Sequence, residues 1–449
     1  MDRIRKEADP EAVRAKEEAK RKEIDWAKRN AKQFVRVNDD YFKIVYRDDG
    51  SYYQKSIAKQ TIIDDYGMLI LCYILKYDDW TMIPDNKNFQ QTFGRFYNLY
   101  QPFPHKSKQG ECKKILAFLK HIFEDQIELG LDYFTVLYLY PSKRLPVLIL
   151  VSKDRETGKT TFINFVKLIF GANCVFIQSI DLAGSFNWHY AVANIICVDE
   201  AFLDKKAEFE RLKMLATARN LPINAKYVKQ TMIEFFGKII ICANDELDVV
   251  RIDQQETRYW VRKIPKPDHD DVNLLDEMRE EIPAFLHYLE SRPMETVKPE
   301  SRLWLAMDSY QTEALQAIRE NSRPWLYKEL KERIGNFFAL NDLTKELYAD
   351  PTDLKDEYFE KNNQVQIGYI RKILKEDFGF SPVEKPDYYI PFYCKPRKKA
   401  RYYTFKREDF APDEEDDKIA ESANLKPEQP DNESNEIEFS ENINHDCTL

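Results

Sequence analysis

Three short apolar runs, each without polar alternation and each ending in polar residues, constrain this chain most. They are LPVLILVS (145–152), NIICVDE (194–200) and KIIICAND (238–245). A strand with one wetted face alternates, so a run that is apolar throughout suits a strand buried on both faces of a parallel sheet. The spacing predicts an α/β core with a mainly parallel sheet over about residues 110–290. In open α/β sheets ligands bind at the carboxyl edge, so the polar residues closing each run are the first candidates for chemistry.

The first run leads into VSKDRETGKTTF and then a helical segment. A phosphate-binding loop needs inward backbone N–H groups, a helix N-terminus aimed at the anion, a lysine and a hydroxyl. Gly158 would allow close backbone approach, Lys159 would reach the β- and γ-phosphates of ATP, and Thr160 would ligate Mg²⁺. The candidate nucleotide-binding set is Lys153, Thr157, Gly158, Lys159, Thr160 and Thr161. Lys153 stands where the usual motif has its first glycine. Taken alone, the same residues could simply start a helix.

The second run ends in Asp199-Glu200. An aspartate at a strand end can hold Mg²⁺, and the adjacent glutamate can polarise an attacking water. The third run ends at Asn244, whose amide could sense the γ-phosphate or merely form a turn. Downstream, in DQQETRYWVRKI, Arg258 could stabilise transition-state charge on a neighbour's ATP or pair with Glu256.

This ordered set, GKT, VDE, CAND and ETRYW, resembles the superfamily 3 helicases, and within them the phage and plasmid primase-helicase proteins. YNLYQPFPH before the core and EIPAFLHYL after it also resemble that group. The resemblance implies an AAA+ P-loop core assembling as a homo-hexamer that hydrolyses ATP to move along single-stranded DNA. It implies catalytic roles for Glu200, Asn244 and Arg258 and metal binding by Thr160 and Asp199. INAKYVKQTMIEFF matches the segment the family uses for a DNA-tracking hairpin, with Lys226, Tyr227 and Lys229 suited to phosphate contact and stacking. Two departures stand out. Glu156 occupies a position where relatives commonly have glycine, and the roughly 110 residues before the core are too few for a primase. A primase, like other replication proteins, is therefore expected to act in trans.

Residues 1–33 read as a polar helical arm with 11 basic and 8 acidic side chains. Residues 34–109 read as a small α+β accessory domain, with Asp49-Gly50 marking a hairpin and helical periodicity in DYGMLILCYILKY. A helical connector (291–340) precedes a winged-helix-like order of elements over 341–410. Its basic loop, with Lys395, Arg397, Lys398, Lys399 and Arg401 beside aromatics, suits a wing touching DNA, though such loops also merely solubilise. From residue 411 the chain carries 13 acidic and 2 basic residues and reads as a disordered acidic tail. The other 410 residues hold 66 basic and 64 acidic side chains, so nucleic-acid contact must come from local patches.

Seven scattered cysteines without a Cys-x-x-Cys pair predict a reducing, cytoplasmic setting. No apolar run reaches the ~18–20 residues of a membrane span, so no membrane partner is expected. The functional expectation is an ATP-dependent replicative DNA helicase. The competing readings are a ring NTPase that remodels or loads without unwinding, and a DNA-binding initiator or scaffold with weak ATPase activity.

Overall fold

The computed structural model describes residues 10–48, 50–182, 184, 186–199, 206–223, 231–267, 271–362 and 364–410. The chain divides into two compact units, one ending at Ser322 and the other starting at Arg323.

The core of the first unit is a five-stranded parallel sheet: β1 (Val147–Val151), β2 (Cys174–Ile177), β3 (Ile195–Val198), β4 (Lys238–Ala243) and β5 (Tyr259–Lys263). Its order is β5-β1-β4-β3-β2. Successive side chains point to opposite faces. Leu148, Leu150, Cys197, Ile240, Cys242 and Trp260 therefore enter one core cluster. Val147, Ile149, Val151, Ile196, Ile241 and Val261 enter another. Both faces are dry, which is why the central runs do not alternate.

Over the first face lie α1 (Lys113–Phe123), α2 (Ile127–Leu139), α3 (Lys159–Phe170) and, from later in the chain, the helix Leu274–Ser291. Every residue of α2 from Leu129 to Tyr138 is buried, as a helix apolar nearly all round requires. Its one buried carboxylate, Asp132, is satisfied by Arg292, by the backbone N–H groups of Glu295 (2.9 Å) and Thr296 (2.7 Å), and by the Thr296 hydroxyl (2.8 Å). Phe134 meets the rings of Phe162, Phe165 and Phe285 between these helices. Its truncation to alanine would cost about 3–5 kcal/mol. Against the second face pack Trp80, Tyr97 and Tyr100 of the N-terminal region, with Leu212 from α4 (Lys206–Leu215) and Leu315. The helix Leu274–Ser291 is α5.

Ahead of the core, a helix (Pro10–Ala31) precedes a four-stranded sheet, ordered Tyr52–Ile57, Asp40–Tyr46, Phe34–Val37, Leu75–Tyr77. The helical periodicity of DYGMLILCYILKY is not continued as one helix. The helix Lys59–Tyr66 stops at Gly67 (φ 77°), a 3₁₀ turn follows (Met68–Cys72), and the chain re-enters the sheet at Leu75. Among the described residues, no helix is long and apolar enough to cross a membrane.

The second unit runs α6 (Trp325–Leu340), β6 (Glu346–Ala349), α7 (Pro351–Tyr358), α8 (Ile367–Glu376), β7 (Asp387–Tyr389), β8 (Lys398–Ala400) and β9 (Tyr403–Lys406). β6 pairs antiparallel with β9 and β7 with β8. Its core gathers Leu330, Ile334, Leu354, Ile370, Leu374 and Phe405. α7 starts with a reciprocal cap. The Asp350 carboxylate accepts from the N–H groups of Thr352 (2.7 Å) and Asp353 (3.0 Å), and the Asp353 carboxylate accepts from the N–H of Asp350 (2.9 Å).

Candidate functional site

Beyond β1 the chain turns through 153–157 and enters α3 at Lys159, with Gly158 at φ 95°, ψ 2°. A β-carbon at Gly158 would be strained in this left-handed conformation and would meet the Phe118 ring at 3.3 Å, so glycine is required. Glu156 is also left-handed, at φ 60°, and its side chain is exposed. No side chain caps the N-terminus of α3, so its first N–H groups are available to an anion.

Lys159 is 8% exposed and folds back over the turn. Its Nζ donates to the carbonyls of Ser152 (3.0 Å) and Asp154 (3.3 Å) and to Thr157 Oγ1 (3.2 Å). Burial pulls its ammonium below the usual lysine range, while Cys242, Asp199, Asp154 and Glu246 act the other way. Thr160 Oγ1 donates to Asp199 Oδ2 at 3.4 Å, joining the start of α3 to the end of β3 across the tip of β4. Asn244 follows β4 directly and is exposed at the same edge. It lines a cleft of about 520 Å³ together with Arg155, Glu156 and the stretch from Thr157 to Thr161. The sheet thus brings Lys159, Thr160, Asp199 and Asn244 together. Glu200 lies outside the described residues.

Lys153 is exposed, and its contribution is its backbone: the N–H donates to Glu246 Oε1 (3.0 Å), while Glu246 Oε2 pairs with Lys263 (2.9 Å). Burial would raise the Glu246 carboxyl, but Lys263 and Lys153 outweigh it and hold it below the usual range. Glu246 therefore ties the exits of β1, β4 and β5 to one another.

A second, more apolar cleft of about 370 Å³ shares Glu156, Thr157, Gly158 and Thr161 with the first. Phe118 and His121 of α1, Pro267 and Leu274 supply further walls. His121 Nε2 donates to the Thr157 carbonyl at 3.0 Å, steadying the loop. The sequence reading missed these residues. Nothing local marks them, since α1 and the start of α5 meet the loop only once the sheet has formed.

Arg258 is placed elsewhere. Tyr259 of β5 pairs with Val147 at the start of β1, so Arg258 stands at the amino edge, roughly 16 Å of strand from the loop. Its guanidinium lies 3.4 Å from Glu256 and 3.5 Å from the carbonyl of Lys213. The strands Asn220–Ile223 and Thr231–Glu234 pair antiparallel as a hairpin. Lys226, Tyr227 and Lys229 fall in its connection and lie outside the described residues.

In the second unit, the β7–β8 register puts Tyr389 and Lys398 on one face and Tyr388 and Lys399 on the other. Lys398 pairs with Asp350 (3.0 Å) and Asp353 (2.7 Å), and Lys395 with Glu357 (2.6 Å), so both are engaged within their own unit. Arg397 and Lys399 flank the Tyr388 ring, 4.7 and 5.3 Å from its centroid, and both are exposed, as is Arg401.

A family model described as "Family of unknown function (DUF5906)" matches residues 150–262, from β1 to β5. No curated protein matches the chain. Among solved structures, "The apo structure of NrS-1 C terminal region (305-718)" is similar at TM-score 0.60 and 16% identity, covering 85% of this chain and 99% of that one. "The A form apo structure of NrS-1 C terminal region-CTR" is similar at TM-score 0.54 and 18% identity, covering 80% and 87%. At these identities the likeness establishes a shared fold.

Proposed function

We propose that this chain is an ATP-driven motor of phage or mobile-element DNA replication, a homo-hexameric AAA+ ring that moves along single-stranded DNA. The observation that carries the reading is the convergence of Lys159, Thr160 and Asn244 on one cleft at the carboxyl edge of the parallel sheet, with Asp199 bonded to Thr160 beside it. The polar cleft suits a triphosphate on the α3 N-terminus, and the adjoining apolar cleft with Phe118 and His121 suits a base. Thr160 and Asp199 offer the hard oxygens that Mg²⁺ prefers and would hold it there. The ion would offset charge developing on the phosphates.

Lys159 would leave its loop acceptors for the β- and γ-phosphates, and the arriving anion would offset the cost that burial puts on its charge. Glu200 would take the proton of the attacking water, with Asn244 orienting that water. The position of Arg258, far from its own subunit's loop, supports its acting on a neighbour's nucleotide. The helix, strand, helix, helix and paired-strand order of the second unit supports a winged-helix-like reading. There Arg397, Lys399 and Arg401, with Arg371, Lys372 and Lys375 exposed on α8, would meet DNA. A primase would act in trans.

ATP hydrolysis with and without single-stranded DNA tests the motor. Stimulated turnover that Lys159→Ala and Glu200→Gln abolish is expected, with partial recovery when Lys159→Ala and Arg258→Ala subunits are mixed. The strained, exposed carboxylate of Glu156 favours a second reading, a DNA-binding scaffold with weak ATPase activity. DNA binding by assembled protein without turnover would select it.

A further inference from the structure

In the N-terminal sheet, Tyr41 stands opposite Ile57, Lys43 opposite Lys55 and Val45 opposite Tyr53. Residues directly opposite share a face, while Phe42, Ile44 and Tyr52 point the other way into the core. The outer face is divided. Tyr41 and Ile57 pack with Ala31, Phe34, Ile62 and Ile70. Beyond that cluster, the paired strands Asp40–Tyr46 and Tyr52–Ile57 present Lys43, Val45, Tyr53 and Lys55 on this face, and the other two strands add Arg36 and Lys76. Tyr53 is 41% exposed and Lys55 exposed.

Two lysines facing each other across a strand pair repel and weaken the sheet. Among the described residues, neither is paired with a carboxylate. Lys43 lies over the Phe34 ring, 5.9 Å from its centroid. At the end of the same strand, Arg47 lies over the Tyr53 ring at 5.1 Å and donates to Ser51 Oγ at 3.4 Å. On the neighbouring strand, Arg36 meets Asp39 at 2.9 Å. Within the strand pair Asp40–Tyr46 and Tyr52–Ile57, the uncompensated charge is thus gathered beside an exposed tyrosine. Folding does not explain that placement, and an anion with a flat group would.

We propose that this patch, Lys43, Arg47, Tyr53 and Lys55, binds single-stranded nucleic acid. Lys43 and Lys55 would take adjacent phosphates, relieving their mutual repulsion. Tyr53, backed by Arg47, would stack a base. A duplex keeps its base faces covered and leaves Tyr53 unused, as would an acidic peptide. The inference is independent of the nucleotide cleft, since none of these residues lines it.

The test uses the full chain without nucleotide and a fluorescent oligothymidylate of about 20 residues, followed by anisotropy across a salt series. The double variant Lys43→Gln/Lys55→Gln removes a repulsive pair, so its melting temperature should not fall. It should bind about tenfold more weakly at low salt, and its log–log salt slope should shrink by about 1.4, or ~0.7 for each lost phosphate contact. Tyr53→Leu should weaken binding without altering the slope. An oligonucleotide carrying 5-iododeoxyuridine should crosslink to the peptide containing Tyr53. Wild-type affinity and slope in the double variant, or crosslinks only outside residues 43–55, would overturn the proposal. So would a double variant that loses polyglutamate binding while retaining oligothymidylate.

Discussion

Replacing Glu156 separates two effects that the loop combines, backbone strain and misplaced charge. A side chain held at φ 60° costs roughly 1–2 kcal/mol over the right-handed conformation. Glycine removes that strain but loses ~0.5–1 kcal/mol through the freedom it adds to the unfolded chain. Glu156→Gly should therefore be stabilised by about 0–1.5 kcal/mol, raising the melting temperature by at most ~6 °C. Glu156→Gln keeps the strain and loses only the charge. The carboxylate is exposed at the wall of the polar cleft, so its repulsion of a triphosphate is screened by water. At a separation of ~8 Å and a dielectric constant near 80, each pair of unit charges interacts by roughly 0.5 kcal/mol. Against a cation-bound triphosphate of net charge about −2, this gives ~1 kcal/mol, or roughly fivefold tighter binding. Calorimetric titration of both variants with a non-hydrolysable ATP analogue reads the effect, and the gain should fade at ~0.5 M salt. Unchanged affinity for Glu156→Gln at low salt would refute the electrostatic argument. A lower melting temperature for Glu156→Gly would refute the strain argument.

Three further predictions concern a buried, a paired and an exposed lysine. Lys238 opens β4 fully buried, donating to the Pro141 carbonyl, and burial, with Arg144 in the same sense, drives its ammonium well below the usual range. With the folded value below the unfolded one, the charged amine opposes folding below the folded pKa, and the penalty fades as pH rises through it. Lys238→Met should raise the melting temperature at neutral pH, with the gap narrowing in melts taken towards pH ~10. The Pro141 carbonyl keeps a donor in Asn194 Nδ2 at 2.9 Å. In the second unit, Lys398→Ala should destabilise by about 1–2 kcal/mol in denaturant melts while leaving DNA binding by the folded protein unchanged. Lys399→Ala should leave stability unchanged and reduce the salt slope of DNA binding by about 0.7–0.9.

The strands buried on both faces were legible because their burial suppresses polar alternation, as Ile195 to Val198 illustrate. β2 was not. It lies at the sheet edge, is four residues long, and leaves Phe176 45% exposed, so neither pattern is written into it. The phosphate-loop candidates and Asn244 were legible for the same reason as the strands they follow. Phe118, His121 and Leu274 were not, because their nearness to Gly158 is tertiary. The engagement of Lys398 was hidden likewise: a basic loop looks the same whether a lysine meets solvent or, as here, Asp350 and Asp353. The left-handed backbone at Glu156 carries no sequence signal, since glutamate rarely adopts it.

The order of the central sheet has a consequence for the chain's synthesis. β1, which carries the loop, pairs only with β4 and β5, the last two strands to be made. Until residue 238 has emerged, this wholly apolar strand has two open edges, and only β2 and β3 can find each other. Such non-local pairing folds slowly and leaves adhesive edges waiting. A nascent chain stalled before β4 would hold the complete GKT segment yet have no scaffold on which to set it.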